Sequence, residues 1–359
     1  MVSSDKRKIA VWVITSNGTQ LADMLSMNVS DVDVYVSQNI RETTACFKFR
    51  SLSGTLAEKF HQYSGHIFIM STGIVIRVIA PLIRHKTQDP AVVVVDDRGI
   101  HAISLLSGHL GGANQLTQKI SGIIGANPVI TTATDVNNVP AIDVLAREKG
   151  LFIENPQAIK TVNMALLQGE TIHVHDPFGY LARCLPNSET RTYGGSIKHS
   201  EPKDRDKEIE GIAGVYVDDS KADLPARILI LRPASLVAGI GCNRNTGAQE
   251  INALLEEVLE TNHLAISSLK CMASIDVKAD EPGLITLAEN LGLTVMFFTR
   301  AELNRVKGIK NPSAIVEKHV GVKSVCEAAA IQAARNGELI VPKQSTRNVT
   351  LAIARINFS

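Results

Sequence analysis

The chain has 359 residues, of which 45% are hydrophobic, 20% charged and only 4% aromatic. That length exceeds what one core serves comfortably and points to two or three domains. So apolar a chain, with a formal net charge of +1, is neither disordered nor a general polyanion binder, because non-specific nucleic-acid affinity needs excess positive charge.

In chain order, Met1 to Lys8 is polar, and Ile9 to Ile14 is too short for the core of a secretory signal. Lys8–Thr15 reads as a strand, closed by the turn Ser16-Asn17-Gly18 and followed by a helix over Thr19–Met27. Val32–Val36 and His66–Met70 are further strands. Ser71-Thr72-Gly73 turns the latter into the helical run Ile74–Ile83. The stretch Ile67–Ile83 is broken by Ser71, Thr72, Gly73, Arg77 and Pro81, so it is a strand and a helix rather than a membrane span. The valine run 92–95 marks a strand buried on both faces, Asp96–Gly99 a hairpin turn, and His101–Leu106 the next strand. Ser107-Gly108-His109-Leu110-Gly111-Gly112 leads into a helix from Ala113 to Ile124, and Pro128–Thr132 is strand-like.

From Val136 to Arg227 the pattern changes. Two helices, Ala141–Lys149 and Asn155–Leu167, precede short strands and polar turns. Glu201–Glu210 alternates charge and reads as a solvated loop. After Ala234 the alternation resets: strand Ser235–Ile240, helices Gln249–Glu260 and Leu284–Leu291, strand Thr294–Phe298, helix Val325–Arg335, and closing strands Leu339–Val341 and Thr350–Ile356. The expected fold is α/β, with sheet domains over 1–135 and 229–359 flanking a smaller middle domain over 136–228. Five scattered cysteines with no C-x-x-C exclude a disulfide framework and a zinc knuckle, and fit a reducing cytoplasm.

Three segments share one design, an apolar strand, a glycine turn and a helix: His66–Gly73, His101–Gly112 and Ser235–Gly247. Such turns lie at the carboxyl ends of strands, where ligands bind in open α/β sheets. Helix starts there attract carboxylates. Glycines that only complete tight turns explain each string as well. The expected anion contacts are Ser71, Thr72, Gly73 and Arg77 in the first segment, and Ser107, Gly108, Gly111, Gly112 and Asn114 in the second. Gly239, Gly241, Cys242 and Thr246 are those of the third. His109 stands among three glycines with no neighbouring side chain to shield it, and histidine suits proton transfer near neutral pH. Ser107 and Asn114 are placed to orient it. The third turn is not a dinucleotide fingerprint, since Arg244 stands where a glycine or alanine belongs, and it lacks the P-loop Gly-Lys-Ser/Thr. That disfavours a dehydrogenase. Cys242 near a helix start would have a lowered pKa, though no base adjoins it.

In Ala273–Glu281, an extended chain would put Ser274, Asp276 and Lys278 on one side, with Glu281 close by. This set either binds and protonates an acidic substrate or forms a salt-bridged strand end. His173 and His175 share a strand face, but two ligands are not a metal site. No metal site is expected.

The same segments carry a resemblance. Ser71-Thr72-Gly73-Ile74, Arg77, Ala80-Pro81-Leu82, Asp89-Pro90-Ala91-Val92, the string Leu105 to Asn114, and Val129 to Asp135 resemble the N-terminal part of the CbiG family, the cobalt-precorrin-5A hydrolases of anaerobic cobalamin biosynthesis. Gly239-Ile240-Gly241-Cys242, Asp276 to Glu281, Phe297-Phe298, Glu302-Leu303, Pro312-Ser313, Gly321-Val322, Val341-Pro342-Lys343 and Val349-Thr350 resemble its C-terminal part. Asn243 and Asn245 stand where the family tends to basic residues and glycine, and Ser274 where threonine is usual. The resemblance implies a cobalt-bound tetrapyrrole substrate with acidic side chains, whose ring A lactone is opened and whose C-20 leaves as acetaldehyde. It implies no separate cofactor, because cobalt arrives within the substrate. Its partners would be that substrate and neighbouring corrin-pathway enzymes, with no nucleic acid and no membrane. His109 is then the candidate base, with Asp276, Lys278 and Glu281 the other catalytic candidates. The C-terminal part also resembles a small stand-alone protein of the aerobic corrin pathway, so the alternative is a non-catalytic tetrapyrrole carrier.

Overall fold

The computed structural model describes residues 8–40, 46–85, 88–181, 184–185, 188–190, 212–313, 317–318 and 320–357. The segment Glu201–Glu210, read above as a solvated loop, lies outside them. The chain forms two compact units, Ser4–Leu145 and Ala146–Ser359. No described helix is long and apolar enough to cross a membrane.

The first unit is built on a seven-stranded sheet of order β3-β2-β1-β4-β5-β6-β7. Its strands are β1 (Ile9–Val13), β2 (Val32–Ser37), β3 (Phe47–Phe49), β4 (Gly65–Ile69), β5 (Ala91–Val95), β6 (His101–Leu106) and β7 (Asn127–Val129). The helices are α1 (Ser16–Asn28), α2 (Leu52–Lys59), α3 (Thr72–Ile79), α4 (Ala113–Ile124), α5 (Ala133–Val136) and α6 (Ile142–Glu148), the last running across the unit boundary. β5 is buried at all five positions, as a central strand covered on both faces requires. Its alternate residues feed two apolar clusters, Val93 and Val95 on one face, Val92 and Val94 on the other.

One detail of pairing decides where the candidate site lies. All neighbours in this sheet are parallel except β5 and β6, which run antiparallel with Val92 opposite Leu106 and Val95 opposite Ala102. β4 ends at Ile69 beside Val95. The turn after β6 therefore lies at the opposite edge of the sheet from the turn after β4.

The core of this unit holds a histidine. His66 is fully buried, stacked on Phe60 with ring centroids 5.1 Å apart. Its Nδ1 accepts the Trp12 indole N–H at 3.0 Å, so Nε2 carries the proton and donates to the Phe60 carbonyl at 2.9 Å. Burial pushes its pKa down to about 4. Because the unfolded chain binds this proton at higher pH, His66 leaves stability intact above pH 6.5. It removes about 3 kcal/mol as pH falls from 6.5 towards 4. Urea titrations across that range should show a smaller pH dependence for His66→Gln than for the wild type; equal slopes would contradict the assignment.

The second unit holds two five-stranded sheets. The first has order β10-β9-β11-β12-β8, from β8 (Phe152–Ile153), β9 (Ile172–His175), β10 (Ser188–Thr190), β11 (Gly214–Val217) and β12 (Ile228–Arg232), with α7 (Ile159–Gln168). The other has order β15-β14-β13-β17-β16, from β13 (Leu236–Cys242), β14 (Leu269–Ile275), β15 (Thr294–Phe298), β16 (Glu338–Ser345) and β17 (Val349–Arg355). One face of the latter is covered by α8 (Ala248–Thr261) and α9 (Pro282–Leu291). The other is covered by α10 (Arg300–Leu303) and α11 (Val325–Ala333). The mixed α/β character expected from the alternation is what all three sheets show. In the middle sheet, His175 Nε2 donates to Asp218 Oδ2 at 2.8 Å and the ring stacks on Tyr216, while His173 lies 4.0 Å from Glu189.

Candidate active site

The turn after β6 is built to project a histidine. Ser107 adopts φ +60° and Gly112 φ +86°, the latter a conformation natural to glycine. The Ala113 and Asn114 N–H groups donate back to the Ser107 and Gly108 carbonyls, each at 3.0 Å. No side chain fits at Gly111, where a Cβ would lie 2.3 Å from the Ser107 Cβ. Here the glycines serve the loop's own closure.

His109 is not unshielded, as the sequence suggested. Its Nε2 lies 3.1 Å from Asp135 Oδ2 and 2.9 Å from Thr134 Oγ1, and its Nδ1 lies 3.5 Å from Asp143 Oδ2. Asp143, on α6, is buried. A carboxylate at each ring nitrogen favours the form with both nitrogens protonated. Hydrogen bonding to Asp143 raises the His109 pKa; burial opposes this, and the charges of Asp143 and Asp135 reinforce it.

Asn114 orients the histidine at one remove. Its side-chain amide donates to Asp135 Oδ2 at 3.0 Å and to Thr132 Oγ1 at 2.8 Å, while its carbonyl oxygen accepts from Ser104 at 2.6 Å. Thr132 also donates to Asp135 Oδ2, at 2.5 Å. Ser107 does not take part: its hydroxyl is buried and has no hydrogen-bond partner among the described residues. Beside this network opens a cleft of about 520 Å³ lined by Thr134, Asp135, Asn138, Gln118 and apolar Ile130 and Val139. Among the described residues that line it, Asp135 is the ionisable one. Sequence reading missed Thr132, Thr134, Asp135 and Asp143 as site residues. The run Thr131-Thr132-Ala133-Thr134-Asp135 was the one available signal.

The turn after β4 does not join this group. Ser71, Gly73 and Arg77 are exposed and Thr72 half-buried, at the opposite sheet edge, and the Arg77 guanidinium donates at 2.9 Å to the Gly73 carbonyl of its own helix.

In the second unit, the turn after β13 is braced from below. Glu281 is fully buried at the start of α9, where its Oε1 accepts the Asn245 N–H at 2.6 Å. Its Oε2 accepts from Lys278 at 3.2 Å and lies 3.5 Å from Arg244. Gly283 packs so closely under the turn that a Cβ would meet the Thr246 carbonyl at 2.1 Å. These contacts give Glu281 the work of a positioning residue. Ser274 is buried too and donates to the Ile240 carbonyl at 2.7 Å, and Asp276 is exposed. The expected alternation of Ser274, Asp276 and Lys278 fails because β14 stops at Ile275 and Asp276–Lys278 coil into a single 3₁₀ turn. Gly239 packs against α11, where a Cβ would lie 2.0 Å from the Cys326 carbonyl, and Gly241 sits against Thr350 Oγ1 in the same way at 2.7 Å. Thr246 is buried and donates at 2.9 Å to the Asn243 carbonyl. For Cys242 the expected lowering of pKa is reversed: burial pushes the thiol up, more than Lys278 and Arg244 bring it down.

Comparison with known proteins completes the picture. Residues 54–135 match the family described as cobalamin synthesis G N-terminal, 140–233 its cobalamin biosynthesis central region, and 236–354 the cobalamin synthesis G C-terminus. The cobalt-precorrin-5A hydrolase of Salmonella typhimurium is 36% identical over 346 residues, covering 96% of this chain and 97% of that protein. The chain belongs to the CbiG family. A second relative, the cobalt-precorrin-5A hydrolase of Priestia megaterium, is 32% identical over 97% of this chain and 95% of its own. Protein CobE of a Sinorhizobium species is 37% identical over 123 residues, 34% of this chain and 80% of that protein. The central-region match falls largely on the segment Val136 to Arg227, where the alternation of strands and helices changes. His109, Asp135 and the glycines between β6 and α4 lie inside the N-terminal match, while Asp143 lies inside the central one.

Proposed function

We propose that the protein is a cobalt-precorrin-5A hydrolase, opening the ring A lactone of its substrate and releasing C-20 with its methyl group as acetaldehyde to give cobalt-precorrin-5B. Full-length similarity to proteins of that name supports the substrate. The observation that carries the chemistry is His109, held between Asp143 and Asp135 beside an open cleft. In the first step water adding to the lactone carbonyl gives up a proton, which passes through the Thr134 hydroxyl on the cleft wall to Nε2 of neutral His109. The ring C–O bond then breaks, and the departing oxygen takes that proton to become a hydroxyl on C-20. In the second step the same base removes the hydroxyl proton. The bond from C-20 to the ring breaks, its electron pair passes into the conjugated macrocycle, and acetaldehyde departs. Cobalt enters with the substrate and the macrocycle is the electron sink, so the protein supplies position and proton transfer. Asp143 holds the imidazole, and Asp135 shares the proton at the cleft wall.

Turnover in ¹⁸O-labelled water tests the hydrolytic step: the product's ring A carboxylate should carry one labelled oxygen, and acetaldehyde formed without label in the tetrapyrrole would rule out lactone hydrolysis by water. A non-catalytic carrier would return its ligand unlabelled.

The raised His109 pKa has a kinetic sign. A base must be neutral, so kcat/KM should rise with pH through an apparent pKa above the ordinary histidine value of about 6.5. Asp143→Asn removes the main stabiliser of the cation, and the limb should move to lower pH. A wild-type rate that falls across that limb would instead mean that the imidazolium acts as an acid.

A further inference from the structure

In the second unit, the carboxyl edge of β13 and β14 meets the β16–β17 hairpin around a cavity of about 200 Å³. Its apolar lining includes Ile275, Val325 and Val349, with Cys242 beside them. Among the described residues, the charged ones that line it are Lys278, Lys343 and Arg347, with no aspartate or glutamate. These cations come from three separate segments: the turn after β14, strand β16 and the tip of the hairpin. Lys278 is paired with Glu281. Lys343 and Arg347 make no ion pair among the described residues.

The backbone that carries these cations is firmly held. Glu327, fully buried on α11, accepts the Lys343 N–H at 2.9 Å and the Lys310 and Asn311 N–H groups at 2.8 and 2.9 Å. The Asn311 side chain adds a fourth donor at 3.0 Å. Burial alone would raise the Glu327 pKa, but these donors hold its carboxyl below the usual range. The hairpin tip is tied to the turn after β13, with the Asn243 N–H donating to the Asn348 carbonyl at 2.9 Å and their side chains bonded at 3.1 Å. A buried carboxylate spent on fixing the backbone under a cation is the construction expected of a preorganised anion site.

We propose that this cavity is a carboxylate subsite, in which Lys343 and Arg347, with Lys278, bind an acidic side arm of the tetrapyrrole. The identity of the arm's owner rests on the function proposed above; the anion chemistry rests on the cavity. At about 200 Å³ it is smaller than the pockets of about 300–1,000 Å³ that enclose whole small-molecule ligands. It therefore accepts one arm and the adjoining apolar ring edge, not a macrocycle. Arg347 offers a planar fork for a carboxylate, and Lys343 a point charge.

The test uses the full chain and the double variant Lys343→Gln/Arg347→Gln, with circular dichroism to confirm folding. Uroporphyrin III, a tetrapyrrole with eight carboxylates, is titrated by its absorbance at several salt concentrations, and KM is measured with cobalt-precorrin-5A. The double variant should bind uroporphyrin roughly ten-fold or more weakly, with a shallower salt dependence. The loss in kcat/KM with cobalt-precorrin-5A should lie in KM. Lys343→Arg/Arg347→Lys, which keeps both charges, should recover most of the affinity. Unchanged affinity, salt dependence and KM in the folded glutamine variant would overturn the subsite while leaving the hydrolase reading intact. A wild type that binds uroporphyrin through these two residues but does not consume cobalt-precorrin-5A would sink the hydrolase reading and keep the subsite.

Discussion

Replacing His109 with alanine is expected to slow acetaldehyde release roughly a hundred- to ten-thousand-fold, the usual cost of deleting a general base. The protein should fold and bind its substrate as before. The side chain is partly exposed and its loop is closed by backbone hydrogen bonds and by Gly111 and Gly112, none of which involves the imidazole. Truncation leaves a space between Asp143 and Asp135 that is polar enough for water to fill. Single-turnover measurements separate the binding and chemical steps. Loss of binding in proportion to rate would make His109 a substrate contact. Near-normal turnover would end the base assignment.

The second large effect concerns stability. Asp219 is fully buried in the second unit, just after the middle sheet's strand β11. It receives a two-pronged pair of hydrogen bonds from Arg355 of β17, both 2.8 Å, and a third from the Ser235 hydroxyl at 2.7 Å. The same guanidinium lies over the Phe178 ring at 5.8 Å. Asp219 thus ties one sheet of the unit to the other. Asp219→Ala leaves a half-buried guanidinium and a buried hydroxyl unpaired, a change that costs about 3–5 kcal/mol in comparable sites. Because Arg355 retains some contact with solvent, the lower end is expected here, a fall of roughly 10 °C in the melting temperature. Asp219→Asn keeps one acceptor and should lose less. A melting curve for Asp219→Ala that matches the wild type would show that the tie is dispensable.

Much of this fold was legible because burial writes itself into periodicity. The valine run of β5 signals a strand covered on both faces, and the three strand–turn–helix segments stand where the sequence placed them. The candidate site was legible only at its most local part. Loop glycines around His109 are a neighbour-to-neighbour signal, but Asp143 reaches the imidazole from α6, 34 positions later, and an aspartate in the first turn of a helix looks like any solvated residue. Strand direction was the second obstacle. The turn at Asp96-Asp97-Arg98-Gly99 does announce a reversal, and with it the separation of Ser71–Gly73 from His109. Yet in sequence the two turns look alike, each simply following its own strand. Glu281 illustrates a third difficulty. A carboxylate that braces a turn and one that faces a substrate have the same spelling, and burial tells them apart. Lys343 and Arg347 carry no motif chemistry of their own and gain meaning only when β16 and β17 bring them to the edge where β13 and β14 end.

The most direct measurement is anaerobic incubation of the purified protein with cobalt-precorrin-5A, with aldehyde trapped and quantified against the tetrapyrrole consumed. One acetaldehyde should appear for each substrate converted, and His109→Ala should suppress both together. Tight binding of the intact substrate with no acetaldehyde, under conditions in which a relative such as the Salmonella typhimurium cobalt-precorrin-5A hydrolase turns it over, would contradict the assignment and leave a tetrapyrrole carrier in its place.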